Sequence, residues 1–220
     1  CCHYPVSAGN AIAINIFLMT SSHRYFLLNK PHGMESQFVS SYPNELLGSL
    51  NFNFPEGIHA IGRLDKDSEG LLLLTTNKKI TRLLFQGPVP HKRTYLVQVK
   101  NILSEEGLHR LRNGVSIRIR GGSYYTTPPS EVDIVQKPTT LFPSPFPAHN
   151  YGSATWLKIS LTEGKFHQVR KMTFAVGHRV LRLIRISIEE LHLGDLGPGE
   201  ILEVSEDFFF SKLNLYATKD

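Results

Sequence analysis

The sequence predicts an α+β fold: a mixed, mostly antiparallel sheet with flanking helices and a central cleft between two halves. Three observations predict it. Several short runs alternate apolar and polar residues with the period of two that a half-buried strand requires, clearest in "RTYLVQVKN" (93–101) and "TWLKISLTEG" (155–164). A few segments switch instead to helical spacing. The two kinds follow no β–α–β rhythm, which argues against a doubly wound parallel sheet.

The elements follow in order. "RYFLLNKPHGM" (24–34) reads as a strand ended by Pro31 and Gly33. Residues 40–57 read as a loop with scattered Phe and Leu. "HAIG" and "GLLLLTT" are strands on either side of a charged turn. "KKITRLLFQG" (78–87) sets Ile80, Leu83 and Leu84 at helical spacing, with Gly87 as a stop. Residues 93–101 form a strand with two usable faces. Ser104, Glu105 and Glu106 open a helix, because a serine cap and early acids satisfy its free N–H groups; Gly114 closes it. "SIRIRGG" (116–122) and "EVDIVQ" (131–136) are short strands, and residues 137–152, with Pro138, Pro143, Pro145 and Pro147, are a loop. After the strand at 155–164, "FHQVRKMTFAVG" is a helix with Val169, Met172 and Val176 on its buried face. "RVLRLIRISI" (179–188) and "EILEVS" complete the strands.

The chain has 220 residues, 41 % hydrophobic and 20 % charged, with a formal net charge of +5. Such a length can bury a sizeable core. A basic excess favours polyanionic partners. The two cysteines are adjacent, Cys1 and Cys2, so there is neither a disulfide framework nor a metal-ligand spacing, and a reducing compartment is the simpler expectation. No stretch reaches the roughly 18 apolar residues of a membrane span. "AIAINIFLM" (11–19) is apolar but lacks a preceding basic segment and a following small-residue cleavage site. Residues 1–18 are therefore expected upstream of the natural start, or as a loose extension.

"GRLDKDSEGLLLLTTN" (62–77) crowds an arginine, three acids and a glycine against four leucines. Four readings compete. An exposed hairpin turn is the plainest, since Asp, Ser and Gly favour turns through local hydrogen bonds. A calcium loop would use Asp65, Asp67 and Glu69 with Gly70 sixth, but its twelfth position is Thr76 rather than a bidentate glutamate. A glycosidase needs two acids facing each other across a sugar, and these are close together in sequence. In the fourth, a single carboxylate is the nucleophile, kept ionised by an arginine and dried by apolar walls.

The same stretch closely resembles the active-site signature of RNA pseudouridine synthases of the RsuA type. "HKRTYLVQV" (91–99) resembles the family's tyrosine motif, and "LTEGKFHQVRKM" (161–172) its arginine motif. "GHRVLRLIRISI", the late Leu196–Glu200 stretch and the opening "FLLNKPHGM" also fit, so the resemblance spans about residues 24–206. Lys165 stands where the family usually has arginine. Members usually carry an N-terminal S4 RNA-binding module; the pattern begins too early here, so no S4 domain is expected. This stand-alone arrangement is similar to that of the large-subunit ribosomal enzymes. The implied domains are an extension (1–22), a catalytic domain (23–210) with the pseudouridine synthase fold, and a tail (211–220).

The resemblance implies that Asp65 is the nucleophile, Arg170 its ion-pair partner, and Tyr95 a stacking residue whose hydroxyl takes or gives a proton. Arg63 would fill the gap left by the flipped base, which leaves the stack at a cost of a few kcal/mol. Against these stand blander readings: a core tyrosine, an exposed helix arginine, and a salt bridge from Arg63 to Asp67 or Glu69. From Lys158 to Arg185 run seven Lys and Arg residues, opposed before Glu189 only by Glu163. This asymmetry suits an RNA grip. The expected RNA contacts are Arg63, Lys92, Arg93, Lys165, His167, Gln168, Lys171, Arg182 and Arg185. His91, His167 and His178 have no ligand spacing, so no metal is expected, and the redox-neutral isomerisation implies no cofactor. The implied function is conversion of a specific uridine in ribosomal RNA, 23S rRNA by architecture, to pseudouridine by a cytoplasmic monomer. A catalytically silent rRNA-binding or ribosome-assembly factor is the alternative.

Overall fold

Four consecutive leucines are stable in water only where both faces of their strand are covered. The computed structural model describes residues 23–87, 89–145 and 152–215. The proposed extension, Pro147 and the end of the tail lie outside them. Along the chain run β1 (Tyr25–Lys30), β2 (Met34–Glu35), β3 (Glu45–Leu46), a short 3-10 turn (Leu47–Ser49), β4 (His59–Ile61) and β5 (Glu69–Thr75). Next come α1 (Ile80–Gln86), β6 (Arg93–Lys100), α2 (Glu105–Asn113), β7 (Ser116–Arg118), β8 (Tyr124–Thr126) and β9 (Glu131–Val135). The chain continues with β10 (Ala154–Leu161), α3 (Gln168–Ala175), β11 (Val180–Ile188), β12 (Leu191–His192), β13 (Ile201–Val204) and α4 (Glu206–Lys212).

The main sheet, nine strands among the described residues, has the order β13-β1-β5-β11-β6-β10-β9, with β4 also on β5 and β12 on β11. The only parallel pairing in it joins β5 to β11, and only through Ile184↔Glu69 and Arg185↔Gly70. Beyond that point β4 takes over the same edge of β5, antiparallel, from Ile61↔Leu73 to His59↔Thr75. The two halves of the sheet therefore meet at a two-residue seam at the head of β5. Gly70 makes the seam possible: its φ is +99°, and a Cβ there would lie 2.4 Å from the Arg185 carbonyl oxygen and 2.9 Å from its nitrogen.

Leu71 and Leu73 pack on one face with Tyr25, Ile61, Leu84, Ile184 and Phe209. Leu72 and Leu74 pack on the other with Phe26, Leu28, Met34, Leu47 and Leu64. A third cluster joins Val97, Leu157 and Ile159 of the second half to Leu108 and Leu111 of α2 and to Val169 and Met172 of α3. Val176, expected on the buried face of α3, is its C-terminal cap and only partly buried. Ser104 caps α2 as its sequence predicts, its hydroxyl accepting from the Gly107 amide at 3.1 Å. The two-residue strands, β8 and α4 are not foreseen in the sequence. The expected domain end at 210 falls inside α4, and Leu213 and Leu215 are buried in the core, so the domain continues past it.

Candidate active site

The turn before β5, the approach to β6, the loop before α3 and the middle of β11 together enclose a cleft of about 1060 Å³. Arg63, Asp65, Tyr95, Lys165, His167 and Arg185 all line it. Asp65 and His167, 102 positions apart, meet here, beside the seam that sets the heads of β5 and β11 side by side.

The charged turn is pinned from beneath. Lys30 is fully buried and donates to the carbonyls of Pro31 (2.9 Å), Met34 (2.6 Å) and Lys66 (3.4 Å). Burial pushes its pKa down to about 8, against the pull of Glu69, Asp65 and Asp67. Ser36 clasps Leu64, accepting from its amide at 3.0 Å and donating to its carbonyl at 2.9 Å. Sequence reasoning gave the "NKPHGM" stretch no role. Its signal, a lysine inside an apolar strand end, marks a charge that must find partners when buried.

On this base the Asp65 carboxylate stands partly exposed, with His167 Nε2 3.5 Å from Oδ1. No ion pair closes between Asp65 and Arg170 within 4.0 Å. Arg170 instead grips the turn itself, donating to the Asp67 carbonyl at 2.7 Å and to the Ser68 hydroxyl at 3.2 Å. Burial pulls its pKa down, and Asp65 and Asp67 oppose that pull, so the attraction acts across a longer gap. Glu69 is not part of the exposed acid cluster. It is buried against Arg182 in a two-pronged pair of 2.8 and 2.9 Å, and Arg182 also holds the carbonyls of Phe142 and Pro143. The Phe142 ring lies 4.7 Å from the Arg182 guanidinium. Arg63 forms no bridge to Asp67 or Glu69; it is exposed and donates to Gln37 at 2.6 Å.

Tyr95 is partly buried on β6, where it pairs across with Ile159 and Arg185. It packs against two of the hydrophobic clusters, bridging the halves of the molecule. Arg185 is 2 % exposed and donates Nε to the Leu71 carbonyl at 2.7 Å.

The expected RNA contacts divide. Arg63, Lys92 and Lys165 are exposed, Lys92 reaching Glu131 at 3.5 Å and Lys165 lying over the Tyr125 ring. Arg93 is partly buried, donating to the carbonyls of His91 and Thr162 and stacking over Phe85. Lys171 sits over Phe166 at 5.3 Å. Three expectations need correction. Arg182 is buried in its pair with Glu69, and Arg185 is buried along the cleft, so neither adds charge to the exposed surface. Gln168 is 4 % exposed and ties the loop, accepting from the Lys165 amide at 2.7 Å and donating to Glu163 at 2.6 Å. Sequence reasoning also missed Phe166. It is 68 % exposed and stacks on His167 at 3.8 Å, while His167 takes the left-handed φ of +56° that turns its ring toward the cleft. Among the described residues no group of three His, Cys, Asp or Glu could hold a metal ion, and no helix is long and apolar enough to cross a membrane.

Comparison with known proteins adds independent findings. Residues 24–175 match the profile of the RNA pseudouridylate synthase family. A ribosomal large subunit pseudouridine synthase E from Vibrio parahaemolyticus is 34 % identical over 185 residues, covering 83 % of this chain and 74 % of its own. One from Xanthomonas axonopodis is 38 % identical over 176 residues, covering 78 % and 89 %. A crystal structure of a pseudouridylate synthase superposes with a TM-score of 0.70 at 26 % identity, covering 87 % of this chain and 74 % of that one.

Proposed function

Because the chain belongs to the RNA pseudouridylate synthase family, we propose that it converts a uridine of ribosomal RNA, in the large subunit, to pseudouridine. The names of its relatives support the ribosomal target. The observation that carries the reading is the meeting of Asp65 and Tyr95 in one cleft, with His167 beside the carboxylate. The protein works as a monomer in the cytoplasm, where rRNA is made available to it.

The reaction cuts the C1′–N1 bond, turns the base and joins C1′ to C5. Asp65 is the group that begins it, by attack at C1′, by proton removal at C2′, or by addition at C6. Leu64, Leu161, Val169 and Leu183 give the cleft apolar walls that keep water from an adduct. Arg170 acts by stiffening the turn that aims Asp65, and through its longer-range charge. Tyr95 stacks on the flipped base and handles a proton through its hydroxyl. Arg63, exposed at the rim, fills the space the base leaves. Lys92 and Lys165 hold phosphates. Every heavy atom stays within the nucleotide, and the proton lost from C5 is matched by one gained at N1, so no co-reactant is consumed.

Pseudouridine mapping of rRNA from cells with and without the gene tests this. One large-subunit position should revert to uridine in the deletion. Unchanged rRNA, with ribosome assembly impaired equally by loss of the protein and restored by an Asp65→Asn variant, would favour a silent assembly factor.

A further inference from the structure

Arg185 is a buried cation without a buried anion. It is 2 % exposed in the middle of β11, and among the described residues no carboxylate lies within 4.0 Å of it. Its Nε is satisfied by Leu71, but Nη2 is buried with no hydrogen-bond partner. The neighbouring arginine shows what the fold does when an arginine is structural: Arg182 is equally buried, yet both prongs are closed by Glu69 and the remaining donor by loop carbonyls. Other charges do not relieve Arg185. Arg93 and Lys30 both repel it, and burial pulls its pKa down, opposed by the Tyr95 hydroxyl. A buried guanidinium held by a carbonyl and the Tyr95 hydroxyl, with no carboxylate and one nitrogen unpaired, costs several kcal/mol. Such a cost persists where it serves an anion that the resting protein lacks.

Arg185 also lines the cleft, directly across the strand pair from Tyr95. We propose that Arg185 supplies the positive charge that stabilises the uracil ring while it is detached from the ribose. This rests on the synthase reading above. When C1′–N1 breaks, the bonding pair leaves with N1, and the negative charge spreads over the ring nitrogen and the carbonyl oxygens. Asp65 either bonds to C1′ or takes the C2′ proton. The ring turns, C5 donates the pair to C1′, and Asp65 is released or returns its proton. The C5 proton is lost and N1 gains one, so the sequence balances without oxidant or reductant. The uracil anion is the charge the resting cleft lacks. A fixed cation in a dry site meets it without reorganisation.

The test is single-turnover and steady-state kinetics on unmodified large-subunit rRNA transcripts, with the parent, Arg185→Lys and Arg185→Gln. Arg185→Gln should lose about 100-fold in kcat, the usual effect of removing one preorganised donor, with KM unchanged within about threefold. Arg185→Lys, which keeps the charge, should recover part of the loss. The same transcripts made with 5-fluorouridine provide the second measurement. Fluorine stabilises the departing anion, so the deficit of either variant in consuming the target nucleotide should shrink. Parental kcat in Arg185→Gln, a loss confined to KM, or a deficit equal for both nucleotides would overturn the proposal. Should Arg185→Gln fail to fold by circular dichroism, the Arg185→Lys comparison between the two nucleotides decides alone. A parent that forms no pseudouridine on any transcript removes the synthase reading and this inference with it. A working parent with unaffected variants removes only this inference.

Discussion

Asp65 and the residues that aim it occupy different positions in the energetics of the site. Asp65→Asn preserves the side chain's volume but not its charge; with Asp65 as the proposed nucleophile, turnover should fall by about 10⁴-fold. RNA affinity by filter binding should stay within about threefold, because a carboxylate repels phosphate rather than binding it. Arg170→Ala should behave otherwise. It removes the two bonds to the Asp67 carbonyl and Ser68 hydroxyl, so kcat should fall while the free turn becomes more sensitive to protease. Equal protease resistance with lost kcat would mean that the charge of Arg170, not its grip, matters. Lys30 gives a pH signature. Its folded pKa of about 8 lies below the ordinary 10.5, so between these values the unfolded chain binds more protons. Stability contributed by this group therefore rises with pH across that window, and the penalty is fully present below pH 8. The full span is on the order of 3 kcal/mol. In urea titrations, Lys30→Met should lack the rise between pH 8 and 10 that the parent shows.

Between elements, the seam of β5 and β11 is the joint on which the cleft depends. Gly70 and Gly121 test it as a pair, since both have strongly positive φ, +99° and +90°. At Gly121 an added Cβ meets nothing within 4 Å, whereas at Gly70 it meets the Arg185 backbone. Gly121→Ala should thus cost only the backbone strain, about 1 kcal/mol. Gly70→Ala should cost about 3 kcal/mol or more by urea denaturation, since the strands must also separate. Similar costs at both sites would show that the seam yields easily. The buried Glu69–Arg182 pair stands at this same joint. Its partners Phe142 and Pro143 explain why the start of the proline-rich loop at 137–152 is tied to the centre of the sheet.

For the whole molecule, the relevant quantity is the charge left on the surface after the buried arginines are set aside. The sequence's basic run from Lys158 to Arg185 overstates the RNA grip, because two of its arginines are interior. Exposed Lys165 belongs to the rim of the cleft. Lys165→Ala should weaken binding of any single-stranded RNA to a similar degree. It should also lower the slope of log affinity against log salt by about 0.7, the contribution of one neutralised phosphate on a single strand. A slope identical to the parent's would place Lys165 outside the phosphate path.

Local chemistry determined what was legible in the sequence. The alternation of β6 and β10, the serine cap of α2, the stop at Gly87 and the turn before β5 all depend on residues within a few positions of one another, and all appear as predicted. The motif order likewise picked out Asp65 and Tyr95, which line one cleft, because each lies within a short signature. Burial of charge was decided only by the tertiary structure. Arg182 and Arg185 are three residues apart on one strand and look alike in sequence, yet one faces Glu69 and the other faces none. Which of two arginines finds an acid depends on the register of β11 against β5, a contact across more than a hundred residues. The same long-range pairing sends Arg170 to the backbone of the turn rather than to the Asp65 carboxylate. Such pairings follow from how two sheet halves meet, and no local pattern along either strand encodes that geometry.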